Sequence, residues 1–385
     1  MNIGIDAKRA YHNGTGLGVF NRVLIELLAE HFPQHEYFLF NPKPGKLFIP
    51  RSASINEILP QKKIHQLLRS AWRSKWVIQD LKKLKIDLYH GTSQEIPMGL
   101  AKTGIRSVVT IHDLFPVLYP KDFKPIDVRI YRSKLRHACT HASRIMAISR
   151  ETKRHIENHY QIDPDKIDVA YQSCDPAFSI LQSDEKKAAV RKLYNLPAQF
   201  FLHVGTIIER KNLLNICKAM QLVQKQIDIP LVVVGKGGAY KERVKQYIAE
   251  QNLQNKIIFL SENLEAAGKK PFVATEDFPA LYQLSTAMIY PSFYEGFGIP
   301  IIEAMSGGVP VITSNTSCMP EIGGDAAFYV DPNSPAEMAE GLLKIYDDKF
   351  FSASALEKGL TNAKRFLPET YIQSVMDIYM KAMKG

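Results

Sequence analysis

The sequence predicts an α/β chain: two Rossmann-like domains with parallel sheets, facing each other across a deep cleft. Three observations predict it. Apolar runs of strand length alternate with amphipathic helical patterns from end to end, the order that builds parallel sheets. Glycine-bearing turns near 12–20, 205–206, 235–238 and 296–298 follow such runs, where a parallel sheet presents its ligand-binding edge. The 385 residues are enough for two cores of ordinary size. The expected division is 1–180 for the first domain, a polar and charged linker at 181–195, and 196–367 for the second domain.

Composition narrows the class. Apolar residues at 45% and charged residues at 23% describe a globular chain and exclude a disordered one. No apolar run approaches the ~18 residues of a membrane span. Met1–Asp6 reads as a first strand and not as a signal peptide, so a cytoplasmic protein is expected. Cys139, Cys174, Cys217 and Cys318 lack paired spacing and read as reduced thiols, with neither a disulfide framework nor a zinc site. The net charge of +10 is unevenly placed. Residues 1–200 carry 31 Lys and Arg against 19 Asp and Glu, the remainder 18 against 20. A basic first half points to an anionic partner: a membrane surface, a phosphorylated acceptor or nucleic acid. Nucleic acid is disfavoured, because no aromatic stacking module accompanies the basic residues.

The first domain opens with a strand at Asn2–Ala7. The loop His12–Phe20 holds Gly14, Gly16 and Gly18 and leads into a helix over about 19–30. Its glycines do not make the GxGxxG dinucleotide fingerprint. A glycine loop between first strand and first helix still lets backbone approach a phosphate closely, the alternative being a plain turn. Glu36–Phe40 is a strand, and 41–63, rich in Pro, Lys and Ser, reads as irregular. Residues 64–85 carry a helical pattern, one helix or two, with Ile64, Leu67, Leu68, Trp72 and Leu81 among its apolar positions and Arg69, Arg73, Lys82 and Lys83 among its basic ones. It either packs its stripe on the sheet, the preferred reading, or lies on an anionic membrane. Strands follow at Ile86–His90 and Arg106–Ile111, and His112-Asp113 ends the second of them at the mouth of the sheet. A basic helix at 125–142 carries Arg129, Arg132, Lys134 and Arg136. Strands at 144–149 and 167–170 flank a helix and a turn at Asp163-Pro164-Asp165.

The second domain begins with a strand at Phe200–Val204, then Gly205-Thr206. Arg210 and Lys211 stand where the next loop meets a helix at 213–223. Two cations beside a helix N-terminus can clamp a diphosphate, although such a pair is also ordinary surface charge. Leu231–Val234 is a strand ending in Gly235–Gly238, where a flat base can slide past the backbone. A strand at 256–260, a polar loop at 261–275 and a short helix at 278–284 follow. Ala287–Tyr290 is a buried strand. Its loop holds Glu295, Gly296, Phe297, Gly298 and Ile299, and Pro300 suits a helix start. Gly307-Gly308 stops that helix before a strand at Val309–Thr313. This layout aims bare N–H groups at a phosphate. Glu295 and Glu303 beside it suit hydrogen bonds from sugar or ribose hydroxyls. In the plainer alternative Glu303 caps the helix and Glu295 is a solvated loop residue. The last helix, 368–384, has an apolar stripe of Tyr371, Val375, Ile378 and Tyr379.

The run EGFGIPIIEAM with the GVPVI after it resembles the donor-binding signature of the retaining glycosyltransferases of family GT4, whose E-x7-E pair falls on Glu295 and Glu303. Similar elements are the TG-x-G at Gly16 and Gly18, the T-x-HD context of His112 and the basic pair Arg210 and Lys211. Thr206 stands where that family usually has arginine. The resemblance spans nearly the whole chain, strongest over about 200–335 and weakest over 41–105. It implies the GT-B architecture, with the tail at 368–385 crossing back onto an acceptor-binding first domain. It also implies transfer of a mannose- or glucose-type hexose from a GDP- or UDP-sugar, with retention, to a hydroxyl of a glycan or lipid-linked acceptor in polysaccharide or glycolipid synthesis.

The resemblance also implies roles. Arg210 and Lys211 would neutralise the leaving diphosphate. Glu295, with the backbone of Gly296–Gly298, would hold sugar hydroxyls and Glu303 the ribose. His112 would touch the sugar, and Gly16 and Gly18 the diphosphate or acceptor. Thr206, Gly235, Phe297 and Ile299 would line the donor site. No residue is a convincing nucleophile of the kind retaining glycosidases use, so a front-face reaction is expected. No metal-ligand cluster is evident, and the cations make a metal or other cofactor unnecessary. Two rival readings remain. One is a nucleotide-sugar epimerase or hydrolase of the same fold. The other is a non-catalytic protein on an anionic surface, such as the inner face of a membrane, held through its basic half.

Overall fold

The structure, a computed structural model, describes residues 1–266 and 275–384. Two compact units divide it: Met1–Gln172 together with the tail from Pro368, and Ser173–Leu367.

The first unit is a parallel seven-stranded sheet in the order β3-β2-β1-β4-β5-β6-β7. The strands are β1 (Asn2–Asp6), β2 (Glu36–Phe40), β3 (Ile55–Ile58), β4 (Leu88–Gly91), β5 (Arg106–Ile111), β6 (Arg144–Ala147) and β7 (Ile167–Val169). The chain winds outward from β1 in both directions, so the crevice at the carboxyl ends lies between β1 and β4. Helices cover both faces, which is why the central strands read as continuous apolar runs. On one face the helix Gly16–His31 and the tail helix Pro368–Lys384 pack together on Ile3, Ile5, Val108 and Met146. Tyr371, Val375, Ile378 and Tyr379 of the tail are all buried there. The Tyr379 hydroxyl meets His90 Nδ1 at 2.7 Å, and burial pushes that imidazole down to about 3, keeping it neutral. The other face buries Trp72, Leu81, Leu135 and Cys139.

Local structure departs from expectation at five places, four of them before the second sheet. The irregular stretch 41–63 contains β3, an edge strand whose sequence INEI offers only two apolar residues. The helical pattern at 64–85 is broken at Leu68 (φ −99°, ψ 57°) and passes through a π-helical turn, Trp72–Trp76, into Val77–Lys83. Trp72, Val77 and Leu81 join the core, while Ile64, Leu67 and Leu68 stay exposed. The glycine loop closes early. Asn13 Oδ1 takes the Thr15 N–H and hydroxyl at 2.8 and 2.7 Å, so the helix starts at Gly16 and both Gly16 and Gly18 lie in its first turn. Gly18 is needed for packing: a Cβ there would stand 1.7 Å from the Asn13 carbonyl oxygen. Finally, the linker expected at 181–195 is the helix Asp184–Tyr194, capped by Ser183 and ended by left-handed Asn195. It packs on the helix Phe278–Leu284 of the second unit, where Asp277 takes bonds from Lys186 and Tyr194.

The second unit is a parallel six-stranded sheet in the order β10-β9-β8-β11-β12-β13. The strands are β8 (Phe201–Val204), β9 (Leu231–Val234), β10 (Ile257–Phe259), β11 (Ala287–Tyr290), β12 (Val311–Ser314) and β13 (Ala327–Val330). Its crevice lies between β8 and β11, at the start of the two loops that carry Arg210 and Glu295. The polar loop expected at 261–275 begins as a helix, Leu260–Ala266, and residues 267–274 lie outside the described residues.

Candidate functional site

In the second unit the loops after β8 and β9 are pressed together. A Cβ on Gly235 would stand 1.8 Å from the Gly205 carbonyl oxygen, and Gly205 itself has φ +147°. The chain then makes a tight turn, Glu209–Lys211, and Asn212 follows in the left-handed region. The Asn212 amide donates to the carbonyls of Pro291 at 3.0 Å and Pro332 at 2.6 Å. These two bonds tie the turn to the loops after β11 and β13, and they bring Arg210 and Lys211 against Glu295.

Glu295 is a buried carboxylate held by both cations. Arg210 Nη1 lies 2.6 Å from Oε2 and Lys211 Nζ 2.6 Å from Oε1. The Tyr290 hydroxyl donates to Oε1 at 3.1 Å and itself accepts from Lys211 Nζ. Arg210 Nη1 also donates to the Tyr294 carbonyl at 2.6 Å. Burial would raise the Glu295 carboxyl, but Lys211 and Arg210 outweigh it and hold the group at about 2. Burial, then Arg210, lowers the Lys211 ammonium against the pull of Glu295. Two cations against one carboxylate leave a surplus positive charge at the crevice, which is where an anionic ligand gains most.

The rest of the loop supplies backbone. Gly298 has φ +116°, a conformation for glycine, and as the N-cap of the helix Ile299–Ser306 it has no side chain to take the first amides. The Phe297 ring packs edge-on against Phe366 at 5.9 Å, so this residue offers the loop its main chain and not its ring. Ile299 is half-buried and Thr206 exposed. Glu303 sits apart from the cation pair, accepting from the Tyr282 hydroxyl at 2.6 Å. Burial pushes its carboxyl up to about 7, with Tyr282 pulling down and Asp175 adding to the rise.

In the first unit His112 is buried. Its Nε2 lies 2.9 Å from the Thr92 carbonyl, which can only accept, so Nε2 carries the proton and Nδ1 is an acceptor. Gln172 Nε2 approaches Nδ1 at 3.5 Å, a weak contact. Burial lowers the imidazole to about 4. Phe20, on the helix that Gly16 and Gly18 begin, meets the His112 ring edge-on at 4.7 Å. Sequence reasoning overlooked Asp6, at the end of β1. Arg73 grips both its oxygens and also reaches Glu95, which Lys134 shares. It overlooked Tyr290 as well. A polar side chain closing a buried strand beside a crevice was the available signal in both cases. No group of His, Cys, Asp and Glu suited to a metal occurs among the described residues.

The sequence profile of Glycosyltransferase Family 4 matches residues 15–178, and that of Glycosyl transferases group 1 matches residues 184–365. O-antigen chain mannosyltransferase B of Escherichia coli is 28% identical over 95% of this chain and 96% of its own length. Among solved structures, a glycosyltransferase from Rickettsia africae superposes with TM-score 0.74 at 20% identity, covering 100% of this chain and 98% of that one. HepE of Anabaena, in complex with UDP and glucose, does so with TM-score 0.74 at 18% identity, covering 98% and 99%. At these identities the structural likeness establishes the fold.

The raised Glu303 carboxyl makes a pH-dependent contribution to stability. A carboxyl raised on folding is destabilising once the unfolded chain ionises near pH 4.5, and the cost is complete above about 7. Glu303→Gln removes that ionisation. Its stability relative to wild type should rise by about 1–3 kcal/mol between pH 4.5 and 8, as measured by urea unfolding. A difference that stays flat over this range would show that Glu303 titrates normally.

Proposed function

The chain belongs to the GT4 glycosyltransferases, with the GT-B fold of two Rossmann-like domains, and we propose that it transfers a hexose of mannose or glucose type from a GDP- or UDP-sugar, with retention, to a hydroxyl of a glycan or lipid-linked acceptor. The observation that carries this reading is Glu295 held between Arg210 and Lys211. A nucleoside diphosphate competes with Glu295 for the two cations. As the cations turn to the phosphates, the carboxylate regains free acceptor sites for sugar hydroxyls. The donor thereby assembles its own site: phosphates on Arg210, Lys211 and the amides after Gly298, sugar hydroxyls on Glu295. Glu303, half charged near neutrality, takes the ribose. His112 offers Nδ1 to a hydroxyl in place of the weak Gln172 contact.

In this scheme Glu295 is engaged throughout, by the two cations before the donor arrives and by sugar hydroxyls afterwards, so it is poorly suited to attack a carbon. The acceptor oxygen bonds to the anomeric carbon on the face from which the diphosphate leaves. The carbon–oxygen bond to phosphate breaks, and the acceptor proton passes to the departing phosphate oxygen. Arg210 and Lys211 stabilise the charge that develops there, which is the largest contribution a preorganised site makes. No metal or other cofactor is required in this scheme. The mannosyltransferase relative supports a mannose-type sugar and a role in cell-surface polysaccharide synthesis. HepE, crystallised with UDP and glucose, supports a nucleotide-sugar donor.

The acceptor side suits a peripheral position on the cytoplasmic face of a membrane. No helix among the described residues is long and apolar enough to cross one. Exposed Ile64, Leu67 and Leu68 lie beside Lys62, Lys63 and Arg69, and exposed Tyr119, Phe123, Ile126 and Ile130 beside Lys121, Lys124 and Arg129. Both segments follow carboxyl ends of strands in the first unit. Apolar side chains ringed by lysine and arginine fit an anionic bilayer surface.

Two outcomes are expected. In a nucleotide-sugar panel at least one GDP- or UDP-hexose should raise the melting temperature and be transferred, and Lys211→Met should lower kcat/KM by about 100-fold or more. A Lys211→Met chain as active as wild type would remove the diphosphate role. Separately, the chain should sediment with phosphatidylglycerol vesicles at low salt, and Leu67→Glu with Ile126→Glu should abolish this. Vesicle binding that survives both changes would place the contact elsewhere.

A further inference from the structure

One buried imidazole in the second unit has no part in the chemistry proposed above. His203 lies on β8 and is fully buried. The pairing of β8 with β11 ends at Leu202 with Met288, while β8 stays paired with β9 as far as Val204. His203 therefore stands where the crevice between β8 and β11 begins. Its Nδ1 lies 2.9 Å from the Ile289 carbonyl, which can only accept, so Nδ1 carries the proton. Nε2 is then a bare acceptor. It is buried, and no donor among the described residues meets it. Leaving a buried acceptor without a donor is destabilising, so a group kept that way calls for an explanation.

Lys211 brings its ammonium to the same strand end. A Cβ on Gly205, two residues beyond His203, would stand 3.6 Å from Lys211 Cε and 3.9 Å from Nζ. Nζ lies 4.4 Å from the centre of the Tyr290 ring, and the His203 ring lies 6.2 Å from that same ring. Burial lowers the imidazole to about 4, so it stays neutral; the bond to Ile289 opposes this, and the charges of Lys211 and Glu295 reach it as well. A neutral ring offers an ammonium a lone pair, and a protonated ring would not. An ammonium has three protons. Glu295 Oε1 and the Tyr290 hydroxyl take two of those of Lys211. When a diphosphate displaces Glu295, the phosphate takes one and Tyr290 keeps another. The third needs an acceptor, because Lys211 is buried.

We propose that His203 is a positioning residue for Lys211: its Nε2 accepts the third ammonium proton once Glu295 has given the lysine up to a diphosphate. The proposal rests on the diphosphate role of Lys211 described above. It gives the unpaired Nε2 a use in the liganded state that it lacks in the free one. Hydrogen bonds to a charged form favour that form. His203 thus supports the charge on Lys211 at the moment its counter-ion leaves. With both neutral acceptors engaged, the ammonium keeps its place without the carboxylate, and Glu295 is released to sugar hydroxyls. An apolar side chain in place of His203 would leave the ammonium one acceptor short.

Calorimetric titration of GDP and UDP into the full chain tests this. His203→Leu should weaken the preferred nucleoside diphosphate about tenfold relative to wild type. His203→Gln keeps a donor for Ile289 and an acceptor for Lys211, and it should hold the affinity within a few-fold. In a Lys211→Met background His203→Leu should change affinity by less than about twofold, since no ammonium is left to support. Equal losses with and without Lys211 would make His203 a structural residue only, one satisfied by a buried water included, and would overturn the proposal. Wild-type affinity in His203→Leu would overturn it too. If the melting curve shows that His203→Leu does not fold, His203→Phe is read in the same cycle. A wild-type chain that binds neither nucleotide would defeat the diphosphate role of Lys211 itself, and the part of His203 with it.

Discussion

A buried carboxylate shared by two cations organises the second unit. Glu295 comes from the loop after β11, Arg210 and Lys211 from the turn after β8. The turn is held there by Asn212, whose amide also bonds to Pro332 after β13. Three strand ends thus converge on one charge cluster. Taking one member from a buried pair costs roughly 3–5 kcal/mol, because the other charge is left without a partner. The cluster consequently fixes the loops even before a ligand arrives. It also carries a surplus positive charge, which the proposed diphosphate would offset.

The first unit repeats the pattern with different residues. A carboxylate closes the central strand, Asp6 at the end of β1, and an arginine from a distant helical turn, Arg73, locks it. The correspondence has a physical origin. The carboxyl edge of a parallel sheet is where backbone and loops converge, and a polar group buried there must be paired.

The parallel sheets were legible because central strands such as AMIY and RSVVTI are buried on both faces and read as unbroken apolar runs. β3 was not, because an edge strand needs few apolar residues. The helix Asp184–Tyr194 was hidden by its own polarity, although Ser183 followed by Asp184 and Glu185 is a helix-start signal. The pattern at 64–85 picked out Trp72 and Leu81, which are buried, passed over buried Val77, and gave the wrong continuity, since a π-helical turn leaves no mark in periodicity. Arg210, Lys211 and Glu295 were each singled out in the sequence by motif and spacing. Their direct pairing was not, because it depends on Asn212 joining three loops across more than a hundred residues of sequence. The packing of the Phe297 ring on Phe366 was likewise not legible in the motif.

The competition between Glu295 and a diphosphate for the same two cations can be measured without any transfer reaction. Calorimetric affinities of GDP and UDP for wild type and Glu295→Gln test it directly. With the carboxylate gone, Arg210 and Lys211 are available to the phosphates from the start. Glu295→Gln should therefore bind the preferred nucleoside diphosphate about tenfold more tightly than wild type, even though it transfers sugar poorly. Binding that is unchanged or weaker in Glu295→Gln would contradict the exchange of partners at the centre of this site.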